Sequence, residues 1–230
     1  MSYRQGFYVR RQRQKERAAR LLIDHLLAHV PRVRSAVDLG CGVGIWLAEL
    51  EMRGAEVRGF DGPWVDEGAL RIPRERFERR DLAQPLKLDR RFDLAISLEV
   101  AEHLPASVAP TFVGNLTSLS DLVLFSAAVP GQGGTHHVNE RWPSYWRELF
   151  AQRGYVLVDL FRPAFWWEGR IPYWYRQNAF LYVRRERLVE LPELRKIAER
   201  ESMPLDVVHP DLYAQKSWLG IRRALGRLRG

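Results

Sequence analysis

Two periods of apolar residues alternate along the chain. From Arg10 to Val30, Ala18, Leu21, Leu22, Leu26 and Leu27 recur at helical spacing and Pro31 ends the pattern, which predicts a leading helix. Short, nearly continuous apolar runs follow at 35–40 (SAVDLG), 55–61 (AEVRGFD), 92–100 (FDLAISLEV) and 121–129 (DLVLFSAAV), with a weaker one at 76–82 (RFERRDL). Helical segments are predicted between them at 44–54, closed by Gly54, at 107–120 and at 140–153, and two further strands at 155–161 and 179–183. Strands apolar on both faces, alternating with helices, predict an α/β, doubly wound fold whose mostly parallel sheet is covered on both sides.

After Arg185 the pattern becomes helical and is broken at Pro204 and Pro210, so the expected organisation is a main domain at 1–185 and a basic helical tail at 186–230. In the last piece Trp218, Ile221, Leu225 and Leu228 share a face and Arg222, Arg223 and Arg227 occupy the others. Such a helix suits docking on its own domain or on a second subunit in a homodimer, and also an anionic membrane.

Composition narrows the class. A chain of 230 residues, 46% hydrophobic, can bury a substantial core. It holds no run of about 18 apolar residues, and its charged N-terminus lacks an apolar segment with a cleavage site, so neither a membrane span nor a secretion signal is expected. The single Cys41 fits a reducing compartment, and the expected location is cytoplasmic. The net charge of +8 sits at the ends: residues 1–20 carry +6 and residues 216–230 carry +5, leaving the middle at −3. Basic ends attract RNA or other anions, or form solvated helix faces.

The chemistry begins at VDLGCGVGIW. Gly40, Gly42 and Gly44 stand between a strand and a helix, where backbone can approach a ligand and aim free N–H groups at it. A dinucleotide fingerprint needs a glycine at position 45, which is Ile45 here. Asp38 precedes the turn. Asp61 stands at the tip of the next strand, suited to the hydroxyls of a ribose, and Asp81 at the tip of the third, within reach of an adenine amino group. Loop capping is the plainer role for such acids.

Taken in order, VDLGCGVGIW, VRGFD, RRDLAQPL and FDLAISLEVAEHL resemble the successive motifs of the class I S-adenosylmethionine-dependent methyltransferases over residues 35–185. The resemblance implies a Rossmann-like, seven-stranded sheet with an antiparallel last strand, and S-adenosyl-L-methionine as cofactor. It places Asp38, Gly40, Gly42 and Gly44 at the methionine end, Asp61 at the ribose, Asp81 with Leu82 at the adenine, and Leu98 with Glu99 beneath the sulfonium. Methyl transfer from a sulfonium is an in-line displacement that mainly requires alignment and exclusion of water.

Glu99, Glu102 and His103 form an E-x-x-E-H cluster expected on one helical face, and His136 and His137 sit on a Gly-rich loop, GQGGTHHVNE, after the fifth strand. Three roles stand open for them. They pack; or His137 or His103, with Glu102, serves acid–base catalysis; or the set Glu99, Glu102, His103 and His137, which resembles the ligands of small-RNA terminal 2′-O-methyltransferases and in part of quinone-biosynthesis O-methyltransferases, takes a divalent metal, the less favoured choice. Trp166, Trp167, Tyr173, Trp174 and Tyr175 crowd the connection between the last two strands and form either a wall of the acceptor pocket or a buried interface. Trp64, beside Asp61, suits stacking on the adenine. The preferred function is methylation of an O or N atom of a small metabolite; RNA methylation and a non-catalytic binding module are the alternatives, the latter disfavoured by the intact glycine turn.

Overall fold

The computed structural model describes residues 3–30, 32–200 and 203–227, with side chains described for 12–30, 32–200 and 203–218. The apolar face predicted for Ile221, Leu225 and Leu228 lies outside the described side chains.

A seven-stranded sheet runs in the order β3-β2-β1-β4-β5-β7-β6. Its strands are β1 (Ser35–Leu39), β2 (Glu56–Asp61), β3 (Phe77–Arg79), β4 (Leu94–Leu98), β5 (Leu122–Ser126), β6 (Tyr155–Val158) and β7 (Phe180–Arg184). β1 to β5 pair in parallel, whereas β7 inserts antiparallel between β5 and β6, Leu122 facing Val183 and Phe125 facing Phe180. The helices are α1 (Tyr3–Leu27), α2 (Ile45–Glu51), α3 (Ala109–Leu119), α4 (Pro143–Ala151), α5 (Arg162–Phe165), α6 (Tyr173–Asn178), α7 (Arg185–Leu188), α8 (Pro192–Glu199) and α9 (Pro210–Arg227).

Successive strand residues point to opposite faces, and here both faces are apolar. Ala36, Leu94, Leu122, Leu124 and Leu181 join one core with α1, α2 and α8. Their neighbours Val37, Ala95, Val123, Phe125 and Tyr182 join a second core with α3 and α4. The buried stripe of α1, Ala18, Ala19, Leu22, Ile23 and Leu26, has the spacing that lays one helix face against α2. Each buried Leu, Ile, Val or Phe among them contributes about 1.5–3 kcal/mol, which is why the two-faced pattern dictates the layered fold.

The tail is not set apart. Leu188, Leu191 and Leu194 are buried in the α1-side core, and His209 and Leu212 are buried where α9 meets α6. No described helix is long and apolar enough to cross a membrane. Strand order reverses between β1 and β4, so a crevice opens beyond the carboxyl ends of the strands there, and the ends of β1, β2, β4 and β5 deliver Leu39, Asp61, Leu98 and Ser126 to its edge.

Candidate active site

At the end of β1 the chain turns through Gly40, Gly42 and Gly44 at φ 92°, 54° and 82°. A Cβ on Gly40 would lie 2.3 Å from a methyl of Val100, whereas one on Gly42 would meet open space. The first glycine is needed for its close packing as well as its left-handed backbone, the second for the backbone alone. β2 braces this turn: Gly40 and Cys41 donate to the Phe60 carbonyl at 2.8 and 3.2 Å, and the Asp61 carboxylate accepts from Gly42 N at 2.7 Å and Gly62 N at 2.6 Å. A carboxylate has about four lone-pair sites, so Asp61 keeps acceptor capacity for a ligand.

The turn floors a cavity of about 620 Å³. Asp38, Gly40, Gly42, Leu98 and Glu99 line it together with Glu102, His103 and His137. Tyr173, Trp174 and Tyr175 supply a wall, and Lys15 of α1 and Lys216 of α9 reach it from the two terminal helices. Gly44, Asp61, Asp81 and Leu82 are not part of its lining. Gly44 caps α2, and exposed Asp81 holds Ala83 N at 2.9 Å beside a separate depression that it shares with Leu82.

The acids of the cavity differ in their partners. Asp38 is buried with Oδ1 unpartnered, and burial, reinforced by Asp61, raises its pKa well above the carboxylate range. Glu99 sits at φ 58°, uncommon for a residue with a side chain; its N–H donates to Ser126 Oγ at 3.0 Å, and its carboxylate accepts from Gln132 at 2.7 Å and Asn178 at 3.1 Å. Burial pushes its pKa up, and the bonds from Asn178, Gln132 and Ser126 pull against that rise. Glu102 is buried with neither carboxyl oxygen bonded, and burial, then the charge of Glu99, pushes it up to about 9.

Glu99, Glu102 and His103 do not share the expected helical face: β4 ends on the left-handed Glu99, and Ala101–His103 form a single tight turn. His137 joins that turn because Val138 N and Asn139 N donate to the Glu102 carbonyl at 2.9 and 3.0 Å. The His103 and His137 rings meet edge to face, centroids 4.8 Å apart. Burial, and then His137, lower the His103 pKa. His137 Nδ1 lies 2.9 Å from Glu140 Oε1, while Glu140 also accepts from Gly131 N at 2.8 Å and Gly133 N at 2.5 Å. Burial raises the Glu140 carboxyl, but these bonds outweigh it and hold its pKa below the usual range. His136 points outward, exposed. One ligand atom from each of Glu102, His103 and His137 lies within 4.8 Å of the others, close enough to converge on one acceptor group or to hold a divalent cation.

The aromatic connection divides in two. Tyr173, Trp174 and Tyr175 face the cavity, Tyr175 edge-on to Trp46 at 5.2 Å, whereas Trp166 packs on His209 of the tail at 4.6 Å and Trp167 is exposed. Trp64 is 79% exposed and its ring covers Gly62.

A family model described as a methyltransferase domain matches residues 9–160. The chain belongs to the class I S-adenosylmethionine-dependent methyltransferases. Solved structures share the fold. Magnesium protoporphyrin IX methyltransferase from Synechocystis, crystallised with bound SAH, aligns at 22% identity over 74% of this chain and 84% of that one, TM-score 0.57. An amino pentose methyltransferase from Micromonospora echinaspora, bound to SAM, aligns at 16% identity over 80% and 97%, TM-score 0.56. DesVI of Streptomyces venezuelae aligns at 14% over 77% and 94%, TM-score 0.55. A search of curated proteins finds no match.

Sequence reading of this methyltransferase missed Glu140, Gln132 and Asn178. Glu140 had a signal, since it stands three residues after His137 where a carboxylate can orient an imidazole. Gln132 and Asn178 had none: they are 46 apart in sequence and meet only because β7 lies beside β5.

Proposed function

We propose that this methyltransferase moves a methyl group from S-adenosylmethionine to an oxygen or nitrogen of a small-molecule acceptor, with His137 as general base. The observation that carries the reading is a single cavity lined both by the glycine turn and by the cluster of Glu102, His103 and His137. Beside the turn, buried Asp38 and half-buried Glu99 have raised pKa values, and a ligand bearing an ammonium and a sulfonium would draw both toward ionisation. The cluster presents a neutral acid and two imidazoles to an acceptor in the same cavity.

The step is a displacement. A lone pair of the acceptor forms the new bond to the methyl carbon, the carbon–sulfur pair returns to sulfur as the sulfonium becomes a thioether, and the acceptor proton passes to His137. Glu140 accepts from His137 Nδ1–H, which leaves Nε2 with the free lone pair and stabilises the imidazolium that forms. Glu102, protonated at neutral pH, offers an O–H to the acceptor. The protein's remaining contribution is alignment and dryness, supplied by the wall of Tyr173, Trp174 and Tyr175.

A small acceptor fits a cavity walled by aromatic side chains, and the structural neighbours include enzymes for a porphyrin and an amino sugar. Calorimetry with S-adenosylhomocysteine, followed by turnover with labelled S-adenosylmethionine on a panel of hydroxylated and aminated small molecules, tests the reading. Binding of the cofactor product is expected, with methyl transfer to panel members that survives exhaustive chelation. No cofactor binding would overturn the whole proposal; activity lost on chelation and restored by Mg²⁺ would replace the base by a metal. Tight RNA binding that falls steeply with salt would replace the small acceptor.

A further inference from the structure

A chain of buried amides runs from the C-terminal segment to the cavity floor. His209 N–H donates to Gln177 Oε1 at 2.6 Å, the Gln177 amide donates to Asn178 Oδ1 at 2.8 Å, and the Asn178 amide donates to Glu99 Oε1 at 3.1 Å and to Gln132 Oε1 at 2.9 Å. Gln132 in turn donates to Glu99 Oε2 at 2.7 Å. Gln132, Gln177, Asn178 and His209 are all buried.

Every donor along this path points the same way, toward the Glu99 carboxylate. Hydrogen bonds in series polarise one another, and the effect is strongest where the last acceptor is ionised and water is absent. No amide in the series can flip without setting N–H against N–H or oxygen against carboxylate, so the orientation of Asn178 is dictated by Gln177 and that of Gln177 by His209.

His209 is itself fixed. Its Nδ1 accepts from Asp211 N at 3.0 Å, which leaves the proton on Nε2 to donate to the Trp166 carbonyl at 2.7 Å. Arg176 bonds the same carbonyl at 2.8 Å and pairs with Asp211 in the first turn of α9. The origin of the relay is therefore the docking point of the tail. Asn178, Gln177 and His209 all lie beyond residues 9–160, the part matched by the family model.

Resting on the methyltransferase reading above, we propose that Asn178, Gln177 and His209 are positioning residues that hold Glu99 as an oriented, ionised carboxylate for the cationic end of the cofactor, so that docking of the C-terminal segment completes the cofactor site. The geometry explains how the Glu99 carboxylate can face the cavity on neutral amide donors, Gln132 and Asn178: the relay supplies the compensating dipoles.

The test is a double-mutant cycle on the full chain, read as the dissociation constant of S-adenosylhomocysteine by calorimetry. Gln177→Leu and Asn178→Leu are each expected to weaken binding about tenfold in the wild-type background, the scale of one bond to a charged group. In a Glu99→Gln background the same changes are expected to alter it less than about twofold, because the relay then ends on a neutral amide. Turnover at saturating cofactor should change far less than affinity. Equal losses with and without Glu99, or no loss in either, overturn the proposal, since a merely structural role is indifferent to the charge at 99. Gln132→Ala, at the cavity end, repeats the cycle with the tail contacts untouched if a relay variant does not fold. Wild-type protein that fails to bind the ligand at all overturns the methyltransferase reading instead.

Discussion

Two groups of residues that line the cavity are built by different means. In the glycine turn they are backbone, placed by positive φ and braced by one carboxylate, Asp61, within 21 residues of Gly40. In the cluster of Glu102, His103 and His137 they are side chains, brought together across 35 residues, with His137 oriented by Glu140. The turn depends on conformation, since Gly40 has no room for a Cβ and Gly42 holds a positive φ; the cluster depends on protonation and tolerates a change of shape better than a change of charge.

The largest expected effect breaks the turn. Gly40→Ala places a Cβ 2.3 and 2.7 Å from the two γ carbons of Val100 at a φ of 92°. Strain of about 1–3 kcal/mol plus the clash should lower the melting temperature by several degrees and weaken S-adenosylhomocysteine binding by more than about a hundredfold. Adding Val100→Ala relieves the clash and not the φ, so it should restore part of the loss. Full recovery in the double variant would show that packing, and not backbone conformation, makes this position a glycine.

The next breaks the cluster and leaves the turn intact. His137→Ala should lower kcat by about 10²–10⁴ while cofactor affinity stays within about twofold. Glu140→Gln should cost less, about tenfold, because the amide still accepts from one loop N–H while losing the charge that steadies the imidazolium. If His137→Ala leaves kcat unchanged, the base reading is lost.

pH sharpens the contrast. Turnover should fall on the acid side as His103, whose pKa lies below the ordinary histidine value, becomes charged beside His137, and on the alkaline side as Glu102 ionises near about 9. Stability carries its own signature. The folded-state pKa of Glu102 is raised from the ordinary 4.5, so the unfolded chain releases this proton first, and the contribution of Glu102 to stability declines as pH rises from about 4.5 to about 9. Glu102→Gln removes that proton linkage: melts should show the variant gaining on wild type steadily from pH about 5 to about 9. A constant difference across that range would mean Glu102 is ionised in the folded protein.

The same division decides what the sequence could disclose. β1, the glycine turn and α2 were legible because each side chain requirement is local: an apolar run, glycines where φ is positive, an apolar helix face. Both faces of the sheet followed from strands such as Leu122–Ser126 that are apolar at every step but the last. The convergence of His137 with the Glu102 turn was legible from strand order, since β4 and β5 are neighbours. What stayed hidden depends on tertiary contact. No spacing reveals that Asn178 meets Gln132, or that His209 is buried under Trp166, because those pairings are fixed by where β7 inserts and how the tail folds back. The helical face expected for Glu99, Glu102 and His103 failed for a local reason, the left-handed turn at Glu99, which glycine-based rules do not anticipate for a glutamate.

The smallest expected effect concerns two aspartates that the sequence treats as equivalents. Asp61 spends both oxygens on backbone N–H groups of the turn and its neighbour, so Asp61→Asn sets an amide N–H against one of them, an unmade bond to a formerly charged acceptor. A loss of about ten- to thirtyfold in S-adenosylhomocysteine affinity is expected. Asp81 is exposed, lies outside the cavity lining, and accepts from Ala83 N at 2.9 Å and from the exposed Gln84 side chain at 3.4 Å; Asn keeps an oxygen for the first bond, and the Gln84 amide can turn to water. Asp81→Asn should therefore change affinity by less than about threefold, under about 0.7 kcal/mol. Calorimetry on the pair decides the extent of the cofactor site: unequal losses confine it to β1 and β2, whereas equal losses would extend it across the tip of β3 and make the adenine, and not the turn, the larger part of recognition.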